Sequence, residues 1–471
     1  MGMINLQLDS TDVFSQSFEW AHDHTKEIEA IRYALEGVGI AFILIGALSN
    51  TVHALPIIAG GALIIAIVEI TIFALDLLGI LAIDPKEHAF EIGSIHDSSL
   101  YYEGDLPILK IRAQSHFEAG YDHGYLIAHQ LVSVFRRMKL LFCLGYLVID
   151  QDLYSRLDSL KKSIPSQYLE EMEGLIEGVH DRLDQDTWWH STYTLEDILT
   201  LHLLPDLMHL AITPPKFLMG CTAIMGKDQG SDEIGVGRNL DWPGLGAGRM
   251  SLLIDIKVGE EKQLLLPTIP GTVGVITGMN RNMFVSINVT EPKEGASEVK
   301  EDGTLSLFLN RQVLEQCDTL ADVEHLSPDA AVPYHMFVAD RTGGVIYHFG
   351  QGESGETVVR PFDSSKEPHF ILNCRHQSPE PLEEPNTMYY GESRFNNVHK
   401  IWSKYDQLPL LERLKKVLSA PGVNNPMTVH SVIWMGDRLI FSFDNSYSAT
   451  SPRHVVFLNQ QFEDYSGLKS K

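Results

Sequence analysis

The sequence predicts an α+β protein in which two antiparallel sheets pack face to face and are flanked by helices. Most of the chain between residues 114 and 220 has helical patterns, whereas the chain from Cys221 onwards consists of short apolar strands separated by Gly, Asn and Asp turns. Two further helical patterns, over 304–317 and 409–418, stand between those strands. Strand pairs that alternate with helices fit two stacked sheets covered by helices on their outer faces.

The strands of the second half are predicted from apolar runs, rich in β-branched and aromatic residues, between turn residues. Besides a hairpin from Gly220 to Trp242, they are 250–256, 274–278, 283–289, 335–340, 344–348, 431–434 and 439–443.

Charge and composition exclude several classes of partner. The 471 residues carry a formal net charge of -26 and no basic stripe. Contacts to phosphate need clustered Lys and Arg, so we expect no nucleic acid and no electrostatic attraction to anionic lipid. The cysteines have neither paired spacing nor the density of a disulfide framework, and whether any are bridged stays open. The four are Cys143, Cys221, Cys317 and Cys374.

The first 83 residues form two segments of contrasting composition. Residues 1–36 are a polar segment with no cleavable targeting signal at its start. Over 37–83 the only ionisable residues are His53, Glu69 and Asp76, and the run is long enough for two membrane-spanning helices of about 20 residues each. We expect a helical hairpin in a membrane whose compartment the sequence does not identify. The alternative is a buried hairpin of a soluble core, which the two carboxylates favour because charge at membrane depth is costly.

Residues 84–220 are predicted to form a strand followed by helices. The strand covers 106–113, and the helix after it, over 117–128, contains glycines that permit close packing. Helical patterns continue to 212, and the last helix begins after Thr194, which is a suitable N-cap. The histidines in this region lack the spacing of a metal site, so none is predicted there. They are His190, His202 and His209.

The stretch from Gly220 to Trp242 carries the most specific functional pattern. An apolar run that starts at Cys221, a polar turn and a second apolar run predict a tight hairpin that brings Cys221 beside Arg238 and Asp241. A thiolate is the reactive form of cysteine, and a neighbouring guanidinium favours it. A cysteine within a strand is more commonly a small buried apolar residue, but that interpretation does not explain the polar residues that follow.

This hairpin resembles the nucleophile hairpin of the N-terminal nucleophile (Ntn) cysteine hydrolases. That superfamily includes acid ceramidase, the N-acylethanolamine amidases, the choloylglycine hydrolases and penicillin V acylases, and the isopenicillin-type acyltransferases. The shared pattern is a Cys-Thr or Cys-Ser start followed by Gly-Arg-Asn-x-Asp-Trp, matched here from Cys221 to Trp242. The resemblance implies an αββα Ntn sandwich, with 84–220 as the α-subunit-like propeptide side and 221–471 as the β-subunit-like catalytic region.

The resemblance also implies self-cleavage between Gly220 and Cys221. A cut there would create an α-amino group with a reference pKa of about 8, which can act as the base of its own cysteine. By analogy with the family, Arg238 would stabilise the thiolate and Asp241 would bind the new α-ammonium. The alternative is that the Gly-Cys bond stays intact in a latent enzyme or pseudoenzyme.

Three more residues complete the expected site. The Gly-x-Asn turn over 278–280 and the strand that ends at Asn288 resemble family elements that place Asn288 near the nucleophile. Asn373 resembles the strand-end asparagine whose amide faces the same oxyanion, and Arg394 resembles the arginine of a Ser-x-Arg-Phe element. Each has an ordinary structural alternative, since strand-end asparagines commonly form turns.

From these residues we expect a membrane-associated amidase that hydrolyses linear, non-peptide C–N bonds through an acyl-thioester on Cys221. No metal or organic cofactor is expected, and the two fragments are expected to stay associated after cleavage. The membrane hairpin favours a lipid amide, such as a ceramide or an N-acylethanolamine, as the substrate. Two alternatives stay open: an acyltransferase with a thioester donor, and a membrane-tethered pseudoenzyme or binding protein.

Overall fold

The computed structural model describes the sheets and helices of the chain from Phe90 onwards. The described residues are 90–135, 160–186, 193–210, 220–228, 233–242, 247–288, 299–300, 302–350, 356–362, 369–373, 391–425, 427–444 and 448–462. Residues 90–244 and 248–471 belong to one compact unit. The expected membrane hairpin over 37–83 lies outside the described residues. Within the described ranges, no helix has both the length and the apolar character needed to cross a bilayer.

The described strands form two sheets. In chain order they are β1 (Gly93–Ile95), β2 (Ser98–Glu103), β3 (Leu106–Ala113), β4 (Gly220–Lys227), β5 (Ile234–Asp241), β6 (Leu252–Val258), β7 (Leu264–Thr268), β8 (Thr277–Met279), β9 (Met283–Asn288), β10 (His335–Asp340), β11 (Gly344–His348), β12 (Val358–Pro361), β13 (His369–Asn373), β14 (Thr428–Trp434), β15 (Arg438–Phe443) and β16 (His454–Phe457). The ten-stranded sheet has the order β1-β2-β3-β6-β7-β8-β9-β10-β11-β12, and the six-stranded sheet has the order β13-β4-β5-β14-β15-β16.

The described helices flank these sheets. In chain order they are α1 (His116–Leu126), α2 (Ser166–Asp186), α3 (Leu195–Leu210), α4 (Ser306–Gln316), α5 (Leu320–Leu326), α6 (Gly391–Lys404), α7 (Leu410–Leu418) and α8 (Leu458–Gln461). Residues 128–135 are also helical. Thr194 directly precedes α3, as predicted, and its backbone N–H and hydroxyl both donate to the carboxylate of Asp197.

The two sheets bury their inner faces against each other. Phe284 from the ten-stranded sheet and Trp434 from the six-stranded sheet belong to the same buried cluster, with ring centroids 6.3 Å apart. On the outer face of the six-stranded sheet, Ile224 and Ile433 pack with Leu414 and other side chains of α7. Helix α4 packs on β8 and β9 of the ten-stranded sheet, and α1 packs on β3. The order of layers is therefore helix, sheet, sheet, helix, as predicted.

One strand pairing differs from the predicted antiparallel arrangement. Strands β3 and β6 run parallel, with Ile108 opposite Leu253 and Ala113 opposite Val258, while the other pairings in both sheets, within the described residues, are antiparallel. Parallel neighbours need a long crossover, and the chain between these strands contains helices α1 to α3 and the β4–β5 hairpin. The predicted strand over 274–278 is also displaced, since β8 covers only Thr277–Met279.

Helices α1 and α2 touch backbone to backbone. A Cβ added to Gly120 would overlap the carbonyl oxygen of Glu171, and one added to Gly174 would overlap that of Phe117. The same holds for Gly124 and for Gly178. The predicted use of the α1 glycines for close packing is therefore confirmed, and α2 contributes a second pair with the same four-residue spacing.

Candidate active site

The β4–β5 hairpin directs alternate side chains to opposite faces of the six-stranded sheet. Cys221 pairs with Leu240, and Ala223 pairs with Arg238. Since directly opposed residues share a face and the side-chain period of a strand is two, Cys221 and Arg238 both point to the layer between the sheets. Ala223 lies in the core cluster of that layer. The predicted proximity of Cys221 and Arg238 is thus present.

The guanidinium of Arg238 is held from several sides. Its Nη2 donates to the Sγ of Cys221 at 3.4 Å and to the backbone oxygen of Ile287 at 2.7 Å. Its Nη1 donates to the Oγ1 of Thr277 at 2.6 Å. Cys221 is a free thiol, and both it and Arg238 are buried. A fixed positive charge therefore lies against a buried sulfur, which is the environment that stabilises a thiolate.

Asp241 lies on the other face of the hairpin, so its carboxylate does not share the layer of the Cys221 side chain. Its Oδ2 accepts from Nη1 of Arg394 at 2.6 Å and from Nδ2 of Asn425 at 2.9 Å. Its Oδ1 accepts from the hydroxyl of Thr428 at 2.7 Å. The expectation that Asp241 stands beside the thiol is corrected here. Arg238 and Asp241 are three positions apart in one strand, and an odd spacing places them on opposite faces.

The backbone of Asp241 is nevertheless close to the expected cleavage point. Asp241 is the register partner of Gly220, the residue before the nucleophile. Arg394, at the start of α6, contacts the carboxylate of Asp241 and also donates to Oγ1 of Thr222 at 3.3 Å. The predicted residues Asp241 and Arg394 therefore form one buried ion pair. Asp241 is the register partner of Gly220 and Arg394 contacts Thr222, so the pair lies next to both neighbours of Cys221 in the chain.

The predicted asparagines have different positions. Asn288 ends β9 on the inner face, directly after Ile287, and is fully buried, which is incompatible with a glycan at its sequon. Asn373 ends β13, where its backbone is paired with Thr222. The side chain of Asn373 lies outside the described part of the structure.

Two motif asparagines have structural roles. Nδ2 of Asn239 donates to the carbonyl oxygens of Leu418 and Val423, and so ties β5 to the end of α7. Nδ2 of Asn280 donates to the backbone oxygens of Leu314 and Cys317, which holds the end of α4. The Gly-Arg-Asn-x-Asp-Trp motif thus combines Arg238, which contacts the thiol, with Asn239, which fixes the hairpin in the fold.

A buried histidine lies near Arg238. Burial, and after it the positive charge of Arg238, lower the pKa of His430 to about 3. The hydroxyl of Ser251 donates to the backbone oxygen of Gly248 at 2.5 Å, so Nε2 of His430, also 2.5 Å from that hydroxyl, is the donor to Ser251. His430 is therefore a neutral imidazole with its proton on Nε2.

Several residues that contact the site come from distant segments and were not predicted. They are Thr277, the Ile287 carbonyl, Asn425, Thr428 and His430. Isolated threonines and a backbone carbonyl carry no local signal, since only the pairing of β8, β9 and β14 brings them to the hairpin. His430 is adjacent to a predicted strand, but nothing in its neighbours in sequence indicates a contact with Ser251.

One group of side chains in the described residues has the types and spacing that a metal ion could use: His96, Glu118 and Asp122. Nδ1 of His96 and the hydroxyl of Ser98 already contact the Asp122 carboxylate, at 2.7 and 2.6 Å. This group belongs to the β1–β2 turn and α1 rather than to the strands that carry Cys221. The expectation of a cofactor-free site stays a prediction.

Comparison with known proteins gives a likeness to solved structures only. No protein-family model matches the chain, and no curated protein matches it significantly. One similar solved structure is the Caenorhabditis elegans N-acylethanolamine-hydrolyzing acid amidase (NAAA) ortholog, at 19% sequence identity and a TM-score of 0.38. The match covers 50% of this chain and 100% of that one. The chain's own motif and geometry define an αββα protein with a buried cysteine–arginine pair.

Proposed function

We propose that this protein is a self-processing cysteine amidase of the Ntn type, which hydrolyses linear, non-peptide C–N amide bonds through an acyl-thioester on Cys221. The observation that carries the proposal is the contact of Arg238 with the Cys221 sulfur, at 3.4 Å in a buried layer. Arg238 is buried and anchored by Thr277 and the Ile287 carbonyl, so its charge is held against the sulfur. A cation held beside a thiol favours the thiolate, which is the nucleophilic form.

Catalysis begins after the bond between Gly220 and Cys221 is cut. The new α-amino group takes the thiol proton, and the thiolate adds to the amide carbonyl. The amine leaves with a proton from the α-ammonium, and water then hydrolyses the thioester. Arg238 stabilises the thiolate, and Asn288 and Asn373 supply amide donors to the oxyanion, as acyl transfer requires.

Asp241 and Arg394 act on the α-amino group from the opposite face of the hairpin. The register pairs Asp241 with Gly220, so the new amino terminus would form next to the Asp241 backbone. Asp241 then orients the α-ammonium, while Arg394 shares the carboxylate and keeps the ammonium from binding it too tightly. This assignment modifies the sequence-based expectation, in which Asp241 had no competing cation.

The first experiment is intact mass and N-terminal sequencing of the purified full-length protein in detergent, at acidic and neutral pH. We expect the wild type to yield a fragment that begins at Cys221, and Cys221→Ala to stay whole. Cys317→Ala is the matched control, because Cys317 is also a buried free thiol but lies at the end of α4. A wild-type chain that stays whole under every condition would contradict self-processing and favour a pseudoenzyme.

A lipid amide is the proposed substrate class, and a membrane the proposed location. The support is the apolar run over 37–83, whose composition and length suit two membrane-spanning helices. We expect the full-length protein to sediment with membranes and a variant without 37–83 to stay in the supernatant. Release of free fatty acid from a ceramide or an N-acylethanolamine would support hydrolysis, whereas acyl transfer to an added amine would favour the acyltransferase alternative.

A further inference from the structure

Ser286 lies in the same layer as the cysteine and the arginine. It is in the middle of β9, with Thr277 of β8 on one side and Phe337 of β10 on the other as register partners. Phe284, two positions earlier, and Phe337 both belong to the core cluster between the sheets. Because alternate residues of a strand share a face, the hydroxyl of Ser286 also points between the sheets.

Two residues that contact Arg238 are immediate neighbours of Ser286. Thr277, which bonds Nη1 of Arg238, is directly opposite Ser286, and cross-strand pairs have Cβ atoms about 5 Å apart. The backbone oxygen of Ile287, the next residue after Ser286, accepts from Nη2, the same nitrogen that contacts the sulfur of Cys221. Ser286 therefore lies on the inner face of the ten-stranded sheet, which packs against the inner face that carries Cys221.

The Ser286 hydroxyl is buried and has no hydrogen-bond partner among the described residues. Buried polar groups are almost always hydrogen-bonded, and a donor left without a partner destabilises the fold. Thr277, directly opposite in the strand pair, accepts from Arg238 and forms no hydrogen bond with Ser286. A donor without a protein partner at this place fits a ligand oxygen next to the sulfur.

We propose that Ser286 is a further catalytic residue, whose hydroxyl donates a hydrogen bond to the carbonyl oxygen of the substrate when Cys221 attacks. The inference rests on the proposed amidase function and deepens it. The Sγ–C bond forms, and the π electrons of the carbonyl move to its oxygen, which becomes an oxyanion. The proton stays on Ser286 throughout, and the hydrogen bond strengthens as charge develops on the oxygen. When the intermediate collapses, the amine leaves and Ser286 keeps its proton.

A purely structural role predicts a different result. If the Ser286 hydroxyl were an unsatisfied group in a dry core, its removal would raise the melting temperature and leave the chemistry unchanged. Ser163 provides the matched control, because its hydroxyl is also buried and without a partner in the described residues but lies just before α2. Ser163→Ala makes the same chemical change away from the hairpin.

The experiment uses the self-cleaved full-length protein and p-nitrophenyl decanoate as the acyl donor. We expect Ser286→Ala to slow the acylation burst by about 100-fold, as the loss of one oxyanion donor does in other acyl transfer enzymes. Ser163→Ala should leave the burst unchanged. Alkylation of Cys221 by iodoacetamide should proceed at the wild-type rate in both variants, which separates a lost donor from a damaged thiol.

The measurements distinguish the proposed role of Ser286 from the amidase function on which it rests. A Ser286→Ala burst within twofold of the wild type would overturn the role of Ser286 while the amidase proposal stands, and a raised melting temperature would identify a dry core. A wild type that gives no burst although Cys221 alkylates would overturn the acyl-thioester itself. If Ser286→Ala does not fold, Ser286→Cys tests the same hydroxyl at nearly constant volume with a much weaker donor.

Discussion

At the scale of single residues, Arg238 connects the nucleophile to the opposite sheet. Its guanidinium is bonded to Cys221 of the six-stranded sheet and to Thr277 and the Ile287 carbonyl of the ten-stranded sheet. The arginine is therefore aimed at the sulfur by contacts outside its own hairpin. The reactivity of Cys221 depends on those anchors as well as on the charge.

Substitution of Thr277 tests whether the reactivity of Cys221 depends on the anchors of Arg238. Thr277→Val keeps the shape of the side chain but cannot accept from Nη1 of Arg238, so the guanidinium loses one anchor and the thiolate loses part of its stabilisation. We expect iodoacetamide to alkylate Cys221 several-fold more slowly at neutral pH, because a smaller fraction of the thiol is ionised. Thr277→Ser retains the hydroxyl and should react like the wild type. Equal rates for the valine and serine variants would contradict the anchoring role.

At the scale of secondary structure elements, the contact between α1 and α2 depends on the glycine pairs. Four glycines, two on each helix, face a carbonyl oxygen of the partner helix. The backbone, unlike a flexible side chain, cannot move aside cheaply. This contact fixes the helical layer that precedes Cys221 in the chain.

Gly174→Ala places a Cβ against the carbonyl oxygen of Phe117. We expect it to destabilise the fold by about 1–3 kcal/mol, because overpacking forces the backbones apart. Glu173→Ala, at an exposed position of the same helix, is the control and should be close to neutral. Alanine is a better helix former than glycine, so helix propensity alone would make Gly174→Ala more stable than the wild type. A loss of thermal stability must therefore come from the contact with α1. An unchanged or raised melting temperature would refute the close approach.

A buried charge network joins the same helices to α4. Glu171 of α2 pairs with Arg311 of α4 at 2.8 Å and with Nδ1 of His116 at 2.7 Å, and Nε2 of His116 lies 3.1 Å from Glu261. Burial opposes the charge on His116, but the hydrogen bonds to Glu171 and Glu261 outweigh it and raise the pKa of His116 to about 9. His116 is therefore a cation within the network at neutral pH.

This raised pKa predicts a pH dependence of stability. Because the unfolded chain would protonate His116 at a pKa of about 6.5, the stabilisation is complete below that pH and is lost as the pH rises through about 9. We expect the melting temperature of the wild type to fall by several degrees over this range. His116→Gln should be less stable at pH 6 and have a flatter profile. Parallel profiles for the two proteins would contradict the assignment of the charge.

At the scale of the whole molecule, segments on either side of Cys221 share one core. Strand β3 lies before Cys221 in the chain and pairs with β6 after it, within the ten-stranded sheet. The carboxylate of Asp206 in α3 accepts from the backbone N–H of Ser306 at the start of α4, at 3.2 Å. Cleavage of one peptide bond would remove none of these contacts.

We therefore expect the two fragments of the cleaved protein to co-elute as one species in size-exclusion chromatography under native conditions. Denaturant should separate them, because only non-covalent contacts would then hold them. The matched control is uncleaved Cys221→Ala, which should elute at the same volume in native buffer and as a single chain in denaturant. Separation of the wild-type fragments in native buffer would contradict a shared core.

Local pattern was sufficient for much of the fold. Strands β3, β10 and β11 begin and end at the predicted residues, and the β4–β5 hairpin pairs as expected, because apolar runs between turn residues decide such elements locally. The sequence was also sufficient to predict that Cys221 and Arg238 lie close together, since a tight hairpin allows few registers. The expected position of the Asp241 side chain beside the thiol was wrong, because its odd spacing from Arg238 turns it to the other face of the hairpin.

Only the tertiary structure decided which distant groups complete the site. Thr277 and the Ile287 carbonyl reach Arg238 because the two sheets stack, and Thr428 reaches Asp241 because β14 pairs with β5 through an irregular register between Thr428 and His430. Parallel pairing of β3 with β6 depends likewise on how the intervening helices pack. Contacts of this kind join residues far apart in the chain, so their selection depends on the global packing of layers and is not encoded in any local pattern of residues.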